Sequence, residues 1–242
     1  MFKKIIAACA LVASASFAAW DYMPALPAGM GQVVVSGQYA DADPITQADA
    51  EVGVRYSLLS WLELYVKMDY RLFTHVDGDD AKVDGLGDLP FGARFQFIPI
   101  FNIFVDFVAP TGDDSYNDDD WTYGFGLQHV SLYGKLVWAT EIGFTIYNDA
   151  ADVRAFNVAN EWDIILGAFV PYIGLNYVYA FAGESDDDAM GYDVFLGLEL
   201  GFTERSSIDF SVHFMGDDFY EDWVFYGGDS PLVFNAALFY TF

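Results

Sequence analysis

Two kinds of residue spacing in this chain could support chemistry. His129 and Ser131 lie two residues apart, so on an extended strand they share a face. That would place a general base beside a hydroxyl nucleophile, the first two parts of an acyl-transfer site. The residues that follow, Leu132-Tyr133-Gly134, supply no third group to orient the imidazole. The other spacing is charge alternating with apolar residues. In the segment 62–72, Leu62, Leu64, Val66, Met68, Tyr70 and Leu72 occupy one parity, and Glu63, Lys67, Asp69 and Arg71 occupy the other. A strand sorts these two sets onto opposite faces, whereas a helix would scatter the charges around its circumference. Charges aligned along one strand face can line water, pair with one another or select ions.

The elements that would hold such residues follow from the same period-two pattern. It recurs over stretches of roughly ten residues, the length of a tilted strand that crosses a bilayer. Strands are expected near 32–40, 50–58, 62–73, 87–97, 101–110, 121–130, 135–147, 153–165, 171–181, 191–203, 206–215 and 231–242. The eighth fits least well, because Asn160 falls on its outward face. No apolar run after Ala19 is long enough for a membrane helix. The expected fold is therefore all-β: a transmembrane antiparallel up-and-down β-barrel of about twelve strands, residues 19–242, in the outer membrane of a bacterial cell. Residues 1–18 read as a signal peptide, with Lys3 and Lys4 before an apolar run and small residues at Ser16 and Ala18. Attachment of lipid at Cys9 is the alternative, but that cysteine comes before a full apolar region.

Cys9 is the only cysteine, so a chain lacking residues 1–18 has no disulfide, thiolate metal site or cysteine nucleophile. The net charge of −26 excludes nucleic acid as a partner, since a phosphate backbone requires a basic face. A hydrophobic content of 54% and an aromatic content of 19% exclude disorder. The acid is unevenly placed. Most of it falls in the longer connections near 41–49, 74–86, 111–120, 148–152, 182–190 and 216–230. The connections between these are short, as periplasmic turns are. Trp61, Phe97, Phe101, Phe169, Tyr172, Phe202 and Phe242 would form an aromatic girdle at the periplasmic end, with Phe73, Trp121, Tyr147, Phe181 and Tyr192 at the other. The surrounding partners would be outer-membrane lipid and lipopolysaccharide. Phe242, preceded by alternating apolar residues, resembles the signature read by the barrel-assembly machinery.

Strand parity then assigns the lumen. Arg55, Glu63, Lys67, Asp69, Arg71, Arg94, Asp106, Glu141, Glu161, Asp163, Asp193, Glu199, Asp209 and His213 are expected to face inward as pore-lining residues. Basic residues concentrate early and carboxylates late. Inward glycines at 53, 92, 124, 126, 143, 174, 197 and 201 would leave volume inside. Eight strands are just filled by side chains and sixteen leave a wide channel, so twelve predict a narrow polar pore or a salt-bridged, sealed interior. A pore with surplus carboxylates would prefer cations.

Two stretches resemble a known family. Gly85-Leu86-Gly87-Asp88-Leu89-Pro90-Phe91-Gly92-Ala93-Arg94-Phe95 and Ala109-Pro110-Thr111-Gly112-Asp113 are similar to consecutive strands of the outer-membrane transporters named for the phenol-degradation meta-pathway. The resemblance is strong over residues 85–113. It departs in having Arg94 where lysine is common and in its acidic loops. It implies a barrel that passes small molecules, hydrophobic or aromatic ones among them. From the residues themselves, no cofactor and no catalytic residue is expected. Some twelve-stranded outer-membrane barrels are phospholipases, with a His-x-Ser followed by Asn-Gly. Here the Asn-Gly is absent, and the expected topology puts Ser131 at a periplasmic turn. The acidic loops suggest another reading, a non-conducting structural or adhesive barrel whose loops bind calcium or magnesium through carboxylates. None of them has EF-hand spacing, and neither His75 nor His213 has metal-ligand spacing around it.

Overall fold

A computed structural model describes residues 25–42, 45–76, 84–113, 120–148, 153–181, 189–217 and 232–242. The expected signal peptide and most of the acidic loop residues lie outside these. The described residues form strands β1 (Gly31–Ala42), β2 (Ile45–Leu59), β3 (Leu62–Val76), β4 (Gly85–Leu86), β5 (Leu89–Ile98), β6 (Phe101–Ala109), β7 (Thr122–Tyr133), β8 (Leu136–Tyr147), β9 (Arg154–Ile164), β10 (Phe169–Phe181), β11 (Ala189–Thr203), β12 (Ser206–Asp217) and β13 (Leu232–Thr241). Apart from β4 and β5, strands that are neighbours in sequence pair antiparallel, and β1 pairs with β13 through ten residue pairs from Gln32↔Thr241 to Asp41↔Leu232. The short β4 and the longer β5 both pair with β3, so together they make one stave. The result is a closed barrel of twelve staves with no free edge, the arrangement that leaves no backbone group unpaired in lipid.

The outer wall is apolar. On β3, Leu64, Val66, Met68, Tyr70 and Leu72 are all more than 40% exposed. Leu127, Ile142, Ile173, Leu196, Phe210 and Leu238 continue this surface around the barrel. A contiguous apolar surface of this extent is incompatible with water and suits hydrocarbon. The polar residues are inside, among them Arg55, Lys67, Glu161 and His213, each less than 9% exposed. The inside-out pattern is the one the alternation predicts.

Bulges at Ser57/Leu59, Gln96/Ile98 and Gly201/Thr203 lie beside short turns and let the strands bend there. Gly134 (φ 65°) and Gly167 (φ 81°) occupy left-handed positions in the other two short turns, where a side chain would be strained. Asn160 does point outward, and its partners on β8 explain why it is tolerated. Its Oδ1 accepts hydrogen bonds from Thr140 Oγ1 (2.7 Å) and Trp138 Nε1 (3.3 Å) on β8, so it is not left unpaired on the wall.

The strands differ from expectation mainly in length. β2 begins at Ile45, so Asp49, expected in a loop, lies within the barrel wall. Asp49 shares the parity of Glu51 and Arg55 on β2 and so faces inward, toward Arg71. Tyr172, expected in the outward girdle, is 8% exposed and lies inside. Trp61, Phe97, Phe101, Phe169, Phe202 and Phe242 are exposed as expected. The inward glycines do not leave empty volume. A Cβ at Gly174 would collide with the Phe195 ring, at Gly197 with Tyr172 and at Gly126 with Phe104. At these three positions a neighbouring strand's inward ring takes the space a side chain would fill, whereas Gly143 is covered by Asn157.

Candidate functional site: the barrel interior

All fourteen residues expected to line the interior are on described strands and face inward. Arg55, Glu63, Lys67, Arg71, Arg94, Glu161, Asp163, Asp193, Asp209 and His213 are buried, and Asp69, Asp106, Glu141 and Glu199 are half-buried. They divide into two walls of different character.

The first wall runs over β2, β3, β5 and β6, and every basic residue on it has an acidic partner. Arg71 holds Asp49 with two hydrogen bonds, Nε to Oδ1 at 2.8 Å and Nη2 to Oδ2 at 3.4 Å. Arg55 Nη1 reaches Glu63 Oε1 at 3.5 Å, and its Nε donates to Gln32 Oε1 at 2.9 Å. Lys67 Nζ stands 4.0 Å from Glu51. Arg94 Nη1 donates to Asp106 Oδ1, and its guanidinium lies over the rings of Tyr65 (4.8 Å) and Phe104 (5.0 Å). Cross-strand pairing is what permits these charges to be buried at all, because an isolated buried charge costs several kcal/mol. Glu63 also accepts hydrogen bonds from Ser57 Oγ (3.1 Å) and from the amide of Leu26 (2.8 Å). The chain before β1 therefore touches the lumen at the short-turn end.

The second wall runs over β7 to β13 and contributes no lysine or arginine to the inward face. Its strands contain only Arg154, which is exposed. Glu141, Asp209 and Asp193 on it are held by neutral donors. Glu141 accepts from Gln128 Nε2 (2.8 Å) and Asn157 Nδ2 (3.1 Å), and Asp209 accepts from the Tyr172 hydroxyl (2.7 Å). Glu199 stands opposite Asp209 in the β11–β12 register. Asp193 Oδ2 accepts from Asn176 Nδ2 (3.1 Å) and is 2.9 Å from His213 Nδ1. Glu161 and Asp163 sit side by side on β9, both buried. Sequence parity places all of these residues, but it gives no sign of their partners. The rings of Tyr172 and Phe195, stacked edge-to-face 6.1 Å apart, were legible only through the glycines beneath them.

Two hydroxyl–imidazole contacts raise the question of hydrolysis. On the lipid-facing side, Ser131 Oγ is 2.8 Å from His129 Nε2, and the imidazole packs on Phe101 and Trp138. Among the described residues no carboxylate or amide orients that imidazole, so the site stops at a dyad. Inside, Ser211 Oγ is 3.0 Å from His213 Nε2, and Nδ1 faces Asp193, the order of an acyl-transfer relay. Ser211 lies mid-strand and is paired on both sides, with Gly197 and Asn235. Its backbone amides are thereby committed to the sheet, and a backbone oxyanion hole cannot form beside it.

The two motif stretches meet at the long-loop end of β4 to β6 and interlock. Asp88 Oδ1 accepts the amides of Thr111 (2.9 Å) and Gly112 (3.1 Å). In return, Asp113 Oδ2 accepts the amide of Leu86 (2.7 Å), and the Asp113 amide donates to the Leu86 carbonyl (2.8 Å). Gly112 fits because a Cβ there would lie 2.8 Å from the backbone of Leu86 and Gly87. Gly85 adopts φ 147°, a conformation that side chains resist. The pair of motifs is a clasp that fixes the rim of the wall.

A closed twelve-stave barrel with an apolar outside and a polar, charged inside belongs to the class of bacterial outer-membrane, porin-like β-barrels. Within that class, the chain belongs to the family described as "Putative MetA-pathway of phenol degradation", which it matches over residues 21–222. Its fold is similar to that of an outer membrane channel from Pseudomonas putida F1, with a TM-score of 0.74 and 18% identity over 92% of this chain and 98% of that one. The translocator domain of the autotransporter NalP from Neisseria meningitidis is similar at a TM-score of 0.65 and 11% identity, over 98% of this chain and 97% of that one. The CymD monoaromatic hydrocarbon channel follows at 0.51 and 10%, over 89% of this chain and 88% of that one. No protein of curated function matches the sequence.

Proposed function

We propose that this barrel is a channel that lets small solutes cross the outer membrane through a narrow, polar, net-acidic lumen, with cations preferred over anions. The observation that carries this reading is the asymmetry of the two walls. Arg55, Lys67, Arg71 and Arg94 are each matched by a carboxylate within 4.0 Å, so that wall is close to neutral. Glu141, Asp193 and Asp209 accept hydrogen bonds from uncharged side chains, and no lysine or arginine faces inward on the described strands of that wall to cancel its carboxylates. In a confined, low-dielectric passage that field repels anions at short range. The family description and the aromatic lining at Tyr65, Phe104, Tyr172 and Phe195 support solutes with an apolar or aromatic body.

Near-complete burial of the inward polar residues supports a second reading, a barrel whose interlocked interior does not conduct and whose role is structural or adhesive. Single-channel recording of the purified barrel in a planar bilayer separates the two. The channel reading expects discrete conductance steps and a reversal potential of cation-selective sign across a potassium chloride gradient. A protein that inserts but passes no current, or one that prefers chloride, refutes it.

A further inference from the structure

We infer that Glu161 and Asp163 form a docking station for an organic ammonium group within the lumen. The inference deepens the channel reading and rests on it, because the ligand must reach the interior to dock there.

The two carboxylates project from β9 two residues apart, with 3% and 7% exposure. Glu161 Oε2 and Asp163 Oδ1 are buried without a hydrogen-bond partner. Among the described residues no donor side chain reaches either carboxylate, in contrast to Glu141 and Asp209 on the same wall. The charges that act on Glu161 come from Asp163, Asp209 and Glu199, all of them acidic. Two buried carboxyls side by side, with only like charges acting on them, can satisfy one another by sharing a proton, and a partner that brings both positive charge and N–H donors would let both ionise.

The surroundings narrow the chemistry of that partner. Among the described residues no three histidine, cysteine or acidic side chains stand close enough to hold a metal ion. Calcium would require six to eight oxygen ligands, far more than this pair offers. A primary ammonium carries three donors and one compact charge, which suits two free carboxylate oxygens. An aromatic surface lies alongside. Tyr172 is opposite Asp163 in the β9–β10 register, its hydroxyl is tied to Asp209, and Phe195 packs against it. Ring faces next to carboxylates favour a cation that has an apolar or aromatic body over a bare inorganic ion. Ala139, the residue opposite Glu161 on β8, keeps the other side small.

The test is calorimetric titration of the complete barrel in detergent with phenethylammonium and with its neutral analogue 2-phenylethanol. The expected result is saturable binding of the ammonium, about tenfold or more tighter than the alcohol. Glu161→Gln and Asp163→Asn should each weaken it by a similar factor, while Glu141→Gln, on the same wall, should not. Equal binding of the two compounds by the wild type, or no saturable heat at all, overturns the inference even if a variant fails to fold. So does unchanged affinity in a folded Glu161→Gln barrel, as expected if the two carboxyls merely share a proton, or displacement of the ammonium by stoichiometric calcium. Bilayer recording is scored separately. Current without ammonium binding refutes the station and leaves the channel; binding without current does the reverse.

Discussion

If the interlocked motifs at residues 85–88 and 110–113 are a mechanical clasp, cutting one carboxylate should cost stability without changing conduction. Asp88→Ala removes the shared acceptor of two amides, Thr111 at 2.9 Å and Gly112 at 3.1 Å. A hydrogen bond to a charged group contributes about 1.5–3 kcal/mol when shielded. Thr111 is exposed, so water can replace part of its bond. The expected loss is therefore about 2–3 kcal/mol rather than the full sum. Asp88→Asn keeps an oxygen acceptor and loses only the charge, so it should cost about 1 kcal/mol. Asp113→Ala unties the single amide of Leu86 and should cost about 1–2 kcal/mol. The two carboxylates close the same ring from opposite sides, and once either is gone Gly112 can lift from Leu86 and Gly87. The double variant should then fall short of additivity by about 1 kcal/mol. Urea unfolding of the barrel in micelles, followed by tryptophan fluorescence, measures all four values. Single-channel conductance of the folded variants should match wild type. Strict additivity, or altered conductance with unaltered stability, would refute the clasp and return the motifs to a role in solute passage.

Other parts of the structure give sharper single outcomes. Leu196→Arg puts a charge on the outward face of β11, where Leu196 is 50% exposed, and should cost about 2–4 kcal/mol in lipid vesicles; a smaller cost than for an inward change on the same strand would contradict the lipid-facing assignment. Arg71→Met strands Asp49 inside the wall and should destabilise by about 3–5 kcal/mol, whereas Arg71→Met with Asp49→Leu should recover most of it. If the double variant is as unstable as the single, the pair is not the reason. Phe242 exchanges two backbone hydrogen bonds with Gly31, at 3.0 and 2.8 Å, and its ring covers that glycine. Its deletion should slow refolding in vitro as well as lower assembly in cells; normal refolding with failed assembly would mean that the residue acts only through the assembly machinery. A fluorophosphonate probe should leave Ser211 and Ser131 unlabelled, and a labelled peptide containing either would reopen the hydrolase question.

Parity explains how much of this was legible in the sequence. On β3, a strand puts the charges of Glu63, Lys67, Asp69 and Arg71 on the face opposite Leu64, Val66 and Met68, whereas a helix would mix them, so the wall and its two sides were decided locally. Parity carries no information about which strand lies across the lumen or how far a side chain reaches. The Arg71–Asp49 pair was hidden because β2 begins at Ile45, before the alternation marks a strand, so Asp49, on the same parity as Glu51, falls in the expected loop. Tyr172 was assigned to the girdle because an aromatic residue near a strand end normally faces the headgroups. Its inward position depends on Gly197 on the next strand, a contact between residues 25 apart in sequence. The motifs at 85–113 resembled a family before their mechanics could be seen, since only folding brings Asp88 beside Gly112.

The manner in which each wall satisfies its charges has a consequence for any solute between them. A carboxylate held by Arg71 or Arg94 forms a short dipole whose field falls away within a few ångströms. One held by Gln128, Asn157, Asn176 or the Tyr172 hydroxyl is satisfied as a hydrogen-bond acceptor but not cancelled as a charge. Such a monopole extends across a narrow, weakly screened space. On the proposed channel reading, the field would therefore point across the lumen, from the compensated β2–β6 side toward β8–β12. Polar solutes should be turned as they pass, their positive ends toward β9 and β12. The choice of neutral partners on one wall and charged partners on the other thus sets an orientation that net charge alone would not.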